Sequence, residues 1–165
     1  MDLKKQQFVK TIDQNKGTIS SLCRVYYPHP EDQRDAFQDI VLQLWKSLET
    51  FRGESEISTW IYRVSLNTLL SKKRKEKKAV ATEPMTSADR LWSAASVDDD
   101  AELLQLVLQA LKDLDKAIVI LYLEGYKNKE IARILHLSPS NVSTRLNRVK
   151  AALKAKFKTQ QHALR

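Results

Sequence analysis

Glycine and proline are scarce, at three and four residues in a chain of 165. So few turn formers exclude a β-sandwich or barrel and leave long helices as the expected structure. Cys23 is the only cysteine, which forbids an intramolecular disulfide. Together with three scattered histidines, His29, His136 and His162, it is too little for a Cys/His zinc cage. No apolar run approaches the roughly 20 residues of a membrane span. The opening Met1-Asp2-Leu3-Lys4-Lys5 has no apolar core for a signal peptide. These absences lead us to expect a chain working in a reducing cytoplasm, with no metal, no cofactor and no membrane insertion.

What is abundant is positive charge. There are 28 Lys and Arg against 20 Asp and Glu, a net charge of +8. Such a balance favours a polyanionic partner, because a cation docked on a phosphate releases condensed counterions. Solubility alone would explain it equally well. The charge also divides the chain. Lys72-Lys73-Arg74-Lys75-Glu76-Lys77-Lys78 is a dense basic cluster, followed by a small, polar, acidic stretch with Glu83, Pro84, Asp89 and Asp98-Asp99-Asp100. Helical periodicity is lost there, as in a linker. The expected fold is all-α: two small helical domains over residues 1–78 and 101–165, joined by a flexible acidic linker over 79–100.

In the first domain, Leu3 to Asn15 reads as a weak helix stopped near Gly17, with a second helix from Thr18 to Tyr27. Pro28-His29-Pro30 breaks it. Phe37, Ile40, Val41, Leu44 and Leu48 recur at helical spacing and predict one apolar face, with Asp35, Asp39, Gln43 and Lys46 opposite and Leu42 exposed among them. After the Phe51-Arg52-Gly53-Glu54-Ser55 loop, Ser55 or Ser58 is placed to cap a further helix running into the basic cluster.

In the second domain, Asp100 to Lys112 is helical by pattern. Ala117 to Leu123 is an unbroken apolar run that propensity alone would allow as a strand. No second strand is available to pair with it, so it is read as a buried helix from about Asp115 to Glu124, ended by Gly125.

The segment Asn128–Leu135 is then a short amphipathic helix, His136-Leu137-Ser138 a tight turn, and Pro139 the first residue of a second helix. Val142, Leu146, Val149 and Leu153 make its apolar stripe. That leaves Ser140, Asn141, Thr144, Arg145 and Arg148 outward. Hydroxyls, amides and guanidiniums near a helix N-terminus are the groups that reach base edges and phosphates in the major groove. A plain helical hairpin with a solvated polar face is the competing reading. Ala132 at the packing position, the capped turn and the basic face together favour a helix-turn-helix.

The ordered motifs also resemble the extracytoplasmic-function group of bacterial RNA polymerase sigma factors, over about Ser20 to Lys78 and Leu106 to Phe157. The resemblance is carried by Asp35-Ala36-Phe37-Gln38-Asp39 through Leu44-Trp45, then Phe51-Arg52-Gly53-Glu54-Ser55, Thr59-Trp60-Ile61-Tyr62-Arg63 and Asn67, then Gly125-Tyr126 through Arg148. It implies that Asp35, Gln38, Asp39 and Leu42 contact core RNA polymerase. It implies that Arg52, Ser55, Arg63, Asn67, Lys72, Lys73 and Arg74 meet the downstream promoter element as the duplex opens. The recognition helix would read the upstream element, and an anti-sigma factor would be a further partner. Trp60 could stack on a base, but its spacing from Ile57, Ile61 and Val64 favours core. The chain departs from the family's pattern at Val41, at Ser65-Leu66-Asn67 in place of Ala-Arg-Asn, and at Asn147, where His is frequent.

No residue is expected to be catalytic. A metal-dependent nucleic-acid enzyme using Asp35, Asp39 or Glu49 would need more convergent groups than the sequence offers. An ordinary helix-turn-helix regulator with a sensory first domain is the nearer rival, and a helical adaptor leaves the basic face unexplained.

Overall fold

The computed structural model describes residues 2–79 and 100–163. Residues 80–99, nearly all of the expected linker, lie outside the described residues. Seven α-helices and no strand occur among those described.

Three long helices build the first unit: α1 (Leu3–Tyr26), α2 (Pro30–Ser47) and α3 (Ile57–Ala79). Each packs on the other two. The predicted stop at Gly17 does not occur; α1 runs straight through it. Phe8, Ile12, Ile19, Leu22, Cys23 and Tyr26 form one buried stripe on both sides of that glycine. Tertiary burial of such a stripe exceeds the ~1 kcal/mol that one glycine costs a helix.

Pro30 opens α2 at a position where its missing N–H is harmless. The buried stripe of α2 is Ala36, Ile40 and Leu44, all fully enclosed, while Phe37 and Val41 are only half-buried. The core face is thus turned by about one residue from the predicted one. A 3₁₀ turn, Leu48–Thr50, leads to the loop before α3. That helix starts at Ile57, where the Trp60 N–H meets the Glu56 carbonyl at 3.1 Å, so Glu56 stands at its start between the two expected serines. Trp60 is buried, with its ring 4.9 Å from that of Phe51.

The chain divides between Ala110 and Leu111. Helix α4 (Asp100–Ala110) therefore lies with the first unit, where Gln109 Nε2 donates to the Arg24 carbonyl of α1 at 3.2 Å.

The second unit holds α5 (Asp113–Leu123), α6 (Asn128–Leu135) and α7 (Pro139–Ala163), again packed pairwise. The apolar run is helical. Ala117, Ile118, Val119, Ile120 and Leu121 are all buried, as in a helix covered on every side. Gly125, at φ +91°, ends it, and the Tyr126 N–H closes back on the Leu121 carbonyl at 3.1 Å.

Candidate nucleic-acid interface

The turn between α6 and α7 is built from local hydrogen bonds. The Glu130 carboxylate accepts the Lys127 N–H at 2.7 Å and fixes the start of α6. His136 takes the left-handed conformation at φ 57°, ψ 44°, and the Leu137 N–H returns to the Ala132 carbonyl at 2.8 Å. The Ser138 Oγ then accepts the Asn141 N–H at 3.1 Å, capping α7. Across the pair, Asn128 Nδ2 donates to Ser143 Oγ at 2.9 Å. Ile131, Ala132, Ile134 and Leu135 bury one face of α6 against Val142, Leu146 and Val149 of α7. Ala132 is small enough to let the two backbones approach.

On α7, Ser140, Asn141, Thr144 and Arg148 are exposed together. Arg145 is not free. Its Nη1 donates to Asp115 Oδ1 of α5 at 3.0 Å and its Nε to Asn141 Oδ1 at 2.9 Å. Asn147, absent from the sequence-based set of contacts, is exposed on the same stretch of α7. Its spacing of three from Thr144 and seven from Ser140 is the signal that places it there.

In the first unit, Asp35, Gln38 and Leu42 are exposed on α2, with Leu42 at 48%. Asp39 is half-buried and turned toward α3, where Lys72 Nζ reaches its Oδ2 at 2.8 Å. This hydrogen bond raises the Lys72 pKa above the usual lysine value; partial burial opposes the rise, and the carboxylates of Asp39, Glu76 and Asp35 add to it. A groove of about 680 Å³ runs between the two helices, lined by Asp39, Gln43, Arg63, Asn67 and Lys72 among others.

Arg52 and Arg74 are exposed, and Ser55 is half-buried in the loop before α3. Lys73 lies 3.9 Å above the Tyr27 ring and 3.9 Å from Glu76, whose other oxygen accepts the Tyr27 hydroxyl at 2.9 Å. Asn67 Nδ2 donates to the Arg63 carbonyl at 2.9 Å. Nε of Arg63 is buried without a hydrogen-bond partner among the described residues. The residues expected to meet the downstream element therefore fall into three sets: the exposed Arg52 and Arg74, the engaged Asn67, Lys72 and Lys73, and the half-buried Ser55 and Arg63. No group of three or more metal-ligating side chains occurs among the described residues, and none of their helices is long and apolar enough to cross a membrane.

A helical unit closed by a capped, three-residue turn and an exposed polar recognition face defines a helix-turn-helix DNA-binding protein. Comparison with known proteins sharpens this. Residues 11–79 match the family model described as "Sigma-70 region 2", and residues 101–153 match "Sigma-70, region 4". The chain is 30% identical over 159 residues to the RNA polymerase sigma factor YlaC of Bacillus subtilis (strain 168), covering 85% of this chain and 92% of that one. It is 28% identical over 150 residues to the ECF RNA polymerase sigma-E factor of Escherichia coli (strain K12), covering 82% and 78%. In fold it is similar to the Bartonella quintana sigma factor RpoE solved with the anti-sigma factor NepR, at a TM-score of 0.67 and 17% identity, over 93% of this chain and 96% of that one. CnrH, solved with the cytosolic domain of CnrY, gives a TM-score of 0.63 at 22% identity, over 94% and 90%.

The chain belongs to the sigma-70 family of RNA polymerase sigma factors, in its extracytoplasmic-function group. It binds core RNA polymerase and promoter DNA and directs promoter-specific transcription initiation.

Proposed function

We propose that residues 1–78 carry polymerase binding and downstream-element capture, that 79–100 link, and that 101–165 carry upstream-element reading. Asp35, Gln38 and Leu42 make the primary contact with core polymerase, and Asp39 serves at its edge. Arg52, Ser55, Arg63, Asn67 and Arg74 meet the opened strand, with Lys72 and Lys73 engaged from within their pairs. A melted strand needs cationic side chains along its backbone and pockets for unstacked bases, and the polar groove beside α3 offers both kinds of group. On α7, Ser140, Asn141, Thr144 and Arg148 face the upstream element.

The chain performs no chemistry of its own; bond formation belongs to the polymerase, so it works in the cytoplasm beside that enzyme. Two weak readers held on one polymerase act as an intramolecular pair, so neither needs high affinity alone. An anti-sigma factor is a fitting regulator, because the two structural relatives were each solved with a protein bound.

The observation that carries this reading is the exposed set on α7 standing over the buried Val142, Leu146 and Val149. Run-off transcription with purified core polymerase on a promoter library tests it. Initiation that requires the chain, and is lost on Asp35→Arg with Leu42→Asp, supports the assignment. Tight DNA binding by the isolated chain with no dependence of initiation on it would replace it with an ordinary regulator.

A further inference from the structure

The positive charge of the chain is gathered at one end. From Ile131 onward there are eight Lys and Arg and no Asp or Glu, so residues 131–165 carry the whole net charge of +8. Residues 1–130 balance 20 cations against 20 carboxylates. Solubility is served by charge spread over a surface; charge gathered on one helix is the footprint of a polyanion. The region 4 match ends at residue 153, yet α7 continues to Ala163 and brings Lys154 and Lys158 with it. Lys154 follows Asn147 by seven residues and Lys158 by eleven, two and three helical turns. Both therefore stand in line with Ser140 and Asn147, and all four are exposed. Lys150, one turn before Lys154, is exposed as well. Its Nζ lies 4.2 Å above the Tyr122 ring of α5 and donates to the Tyr122 hydroxyl at 3.2 Å. An aromatic face holds an ammonium in place without cancelling its charge, whereas Lys72 and Arg145 each rest on a carboxylate.

At 1.5 Å of rise per residue, Lys154 lies about 21 Å and Lys158 about 27 Å along the axis from Ser140. The major groove is only about 12 Å wide. A helix that sets its first turns on base edges has therefore left the groove by Lys154, and what it crosses there is the sugar-phosphate backbone. Lysine suits that position, as a compact charge on a flexible stem that meets a phosphate and reads no base. Resting on the assignment of α7 as the upstream-element reader, we propose that Lys150, Lys154 and Lys158 form a second, sequence-independent DNA site. This ridge binds the backbone phosphates of the duplex flanking the upstream element. It supplies affinity and fixes the register of the helix, while the face from Ser140 to Arg148 supplies the selection.

The test uses holoenzyme reconstituted with the full chain, titrated with promoter duplex over a range of salt and with a duplex pool randomised through the upstream element. Lys154→Gln with Lys158→Gln keeps helix propensity. It should weaken binding by the same factor on every upstream sequence and leave the selected sequence as it was. The slope of log affinity against log salt should fall by about 0.9 for each lysine, about 1.8 for the pair. Lys154→Arg with Lys158→Arg should keep the full slope, because a phosphate accepts either cation. An unchanged slope in the glutamine variant would mean a solvated face and overturn the proposal. So would a changed base preference, or a loss of affinity for core polymerase with the duplex slope intact. Ser140→Ala with Asn141→Ala tests α7 separately: if upstream selection survives it, the reading of α7 fails and the ridge with it. Selection lost there, beside a slope that the glutamine variant leaves unchanged, would sink the ridge alone.

Discussion

Asp39 of α2 and Lys72 of α3 are joined at 2.8 Å, linking a residue proposed to border the polymerase contact to one proposed to border the opened strand. Both side chains keep part of their surface in water, at 49% and 26%. The pair is therefore worth little as cement. A double-mutant cycle with Asp39→Ala and Lys72→Ala, followed by urea denaturation, should return a coupling of about 0.5 kcal/mol that fades in molar salt. In transcription, each single change should impair initiation more than this stability loss explains.

Cys23 is buried, and that burial pushes its thiol up to about 11, with Arg24 pulling partly the other way. A buried neutral thiol is inert, so a chromogenic disulfide reagent should label the native chain slowly at neutral pH and fully in urea. The sign of the pH effect follows from proton counting. Above about pH 9 the unfolded chain has lost the thiol proton that the folded chain keeps, so this group's contribution to stability falls until about pH 11. The stability difference between the chain and Cys23→Ala should shrink across that window in denaturant titrations.

Ser65 stands where the family pattern has alanine, fully buried, with no partner for its Oγ among the described residues. A buried hydroxyl left unpaired costs about 1–3 kcal/mol, and alanine is also the better helix former. Ser65→Ala should raise stability by about 1 kcal/mol in chemical denaturation.

The same substitution should have opposite effects at two glycines. Neither has any atom within 4 Å of an added Cβ. Gly17 lies in the interior of α1, so Gly17→Ala should stabilise by about 0.5–1 kcal/mol. Gly125 holds φ +91°, and Gly125→Ala should destabilise by about 1 kcal/mol despite the open space. Melting temperatures of the two variants, moving in opposite directions, are the check.

Gly17 also shows what local sequence rules miss. Read alone it stops a helix; only the continuation of the Phe8–Tyr26 stripe across it reveals the long rod, because burial outweighs propensity. The turn of the second unit was legible to the residue, since Ser138, Pro139 and the alanine at 132 each have one strong local preference. The apolar run before it was settled by the lack of a partner strand. The relay through Arg145 could not be read, because it depends on Asp115, thirty residues away, and no spacing rule joins two residues of different helices. For the same reason Lys72 read as a free cation, though α2 supplies it with a carboxylate.

Those two internal pairs change how the chain should respond to ionic strength. A lysine or arginine that already rests on a carboxylate brings its own counter-charge to the DNA, and displaces fewer condensed cations when it arrives. The logarithm of affinity falls with the logarithm of salt by roughly 0.9 for each phosphate neutralised. With Lys72 and Arg145 each held by an aspartate, the expected dependence is shallower than a tally of basic residues implies. A promoter contact built on the proposed residues would then feel the salt around it less than the basic composition of the chain suggests.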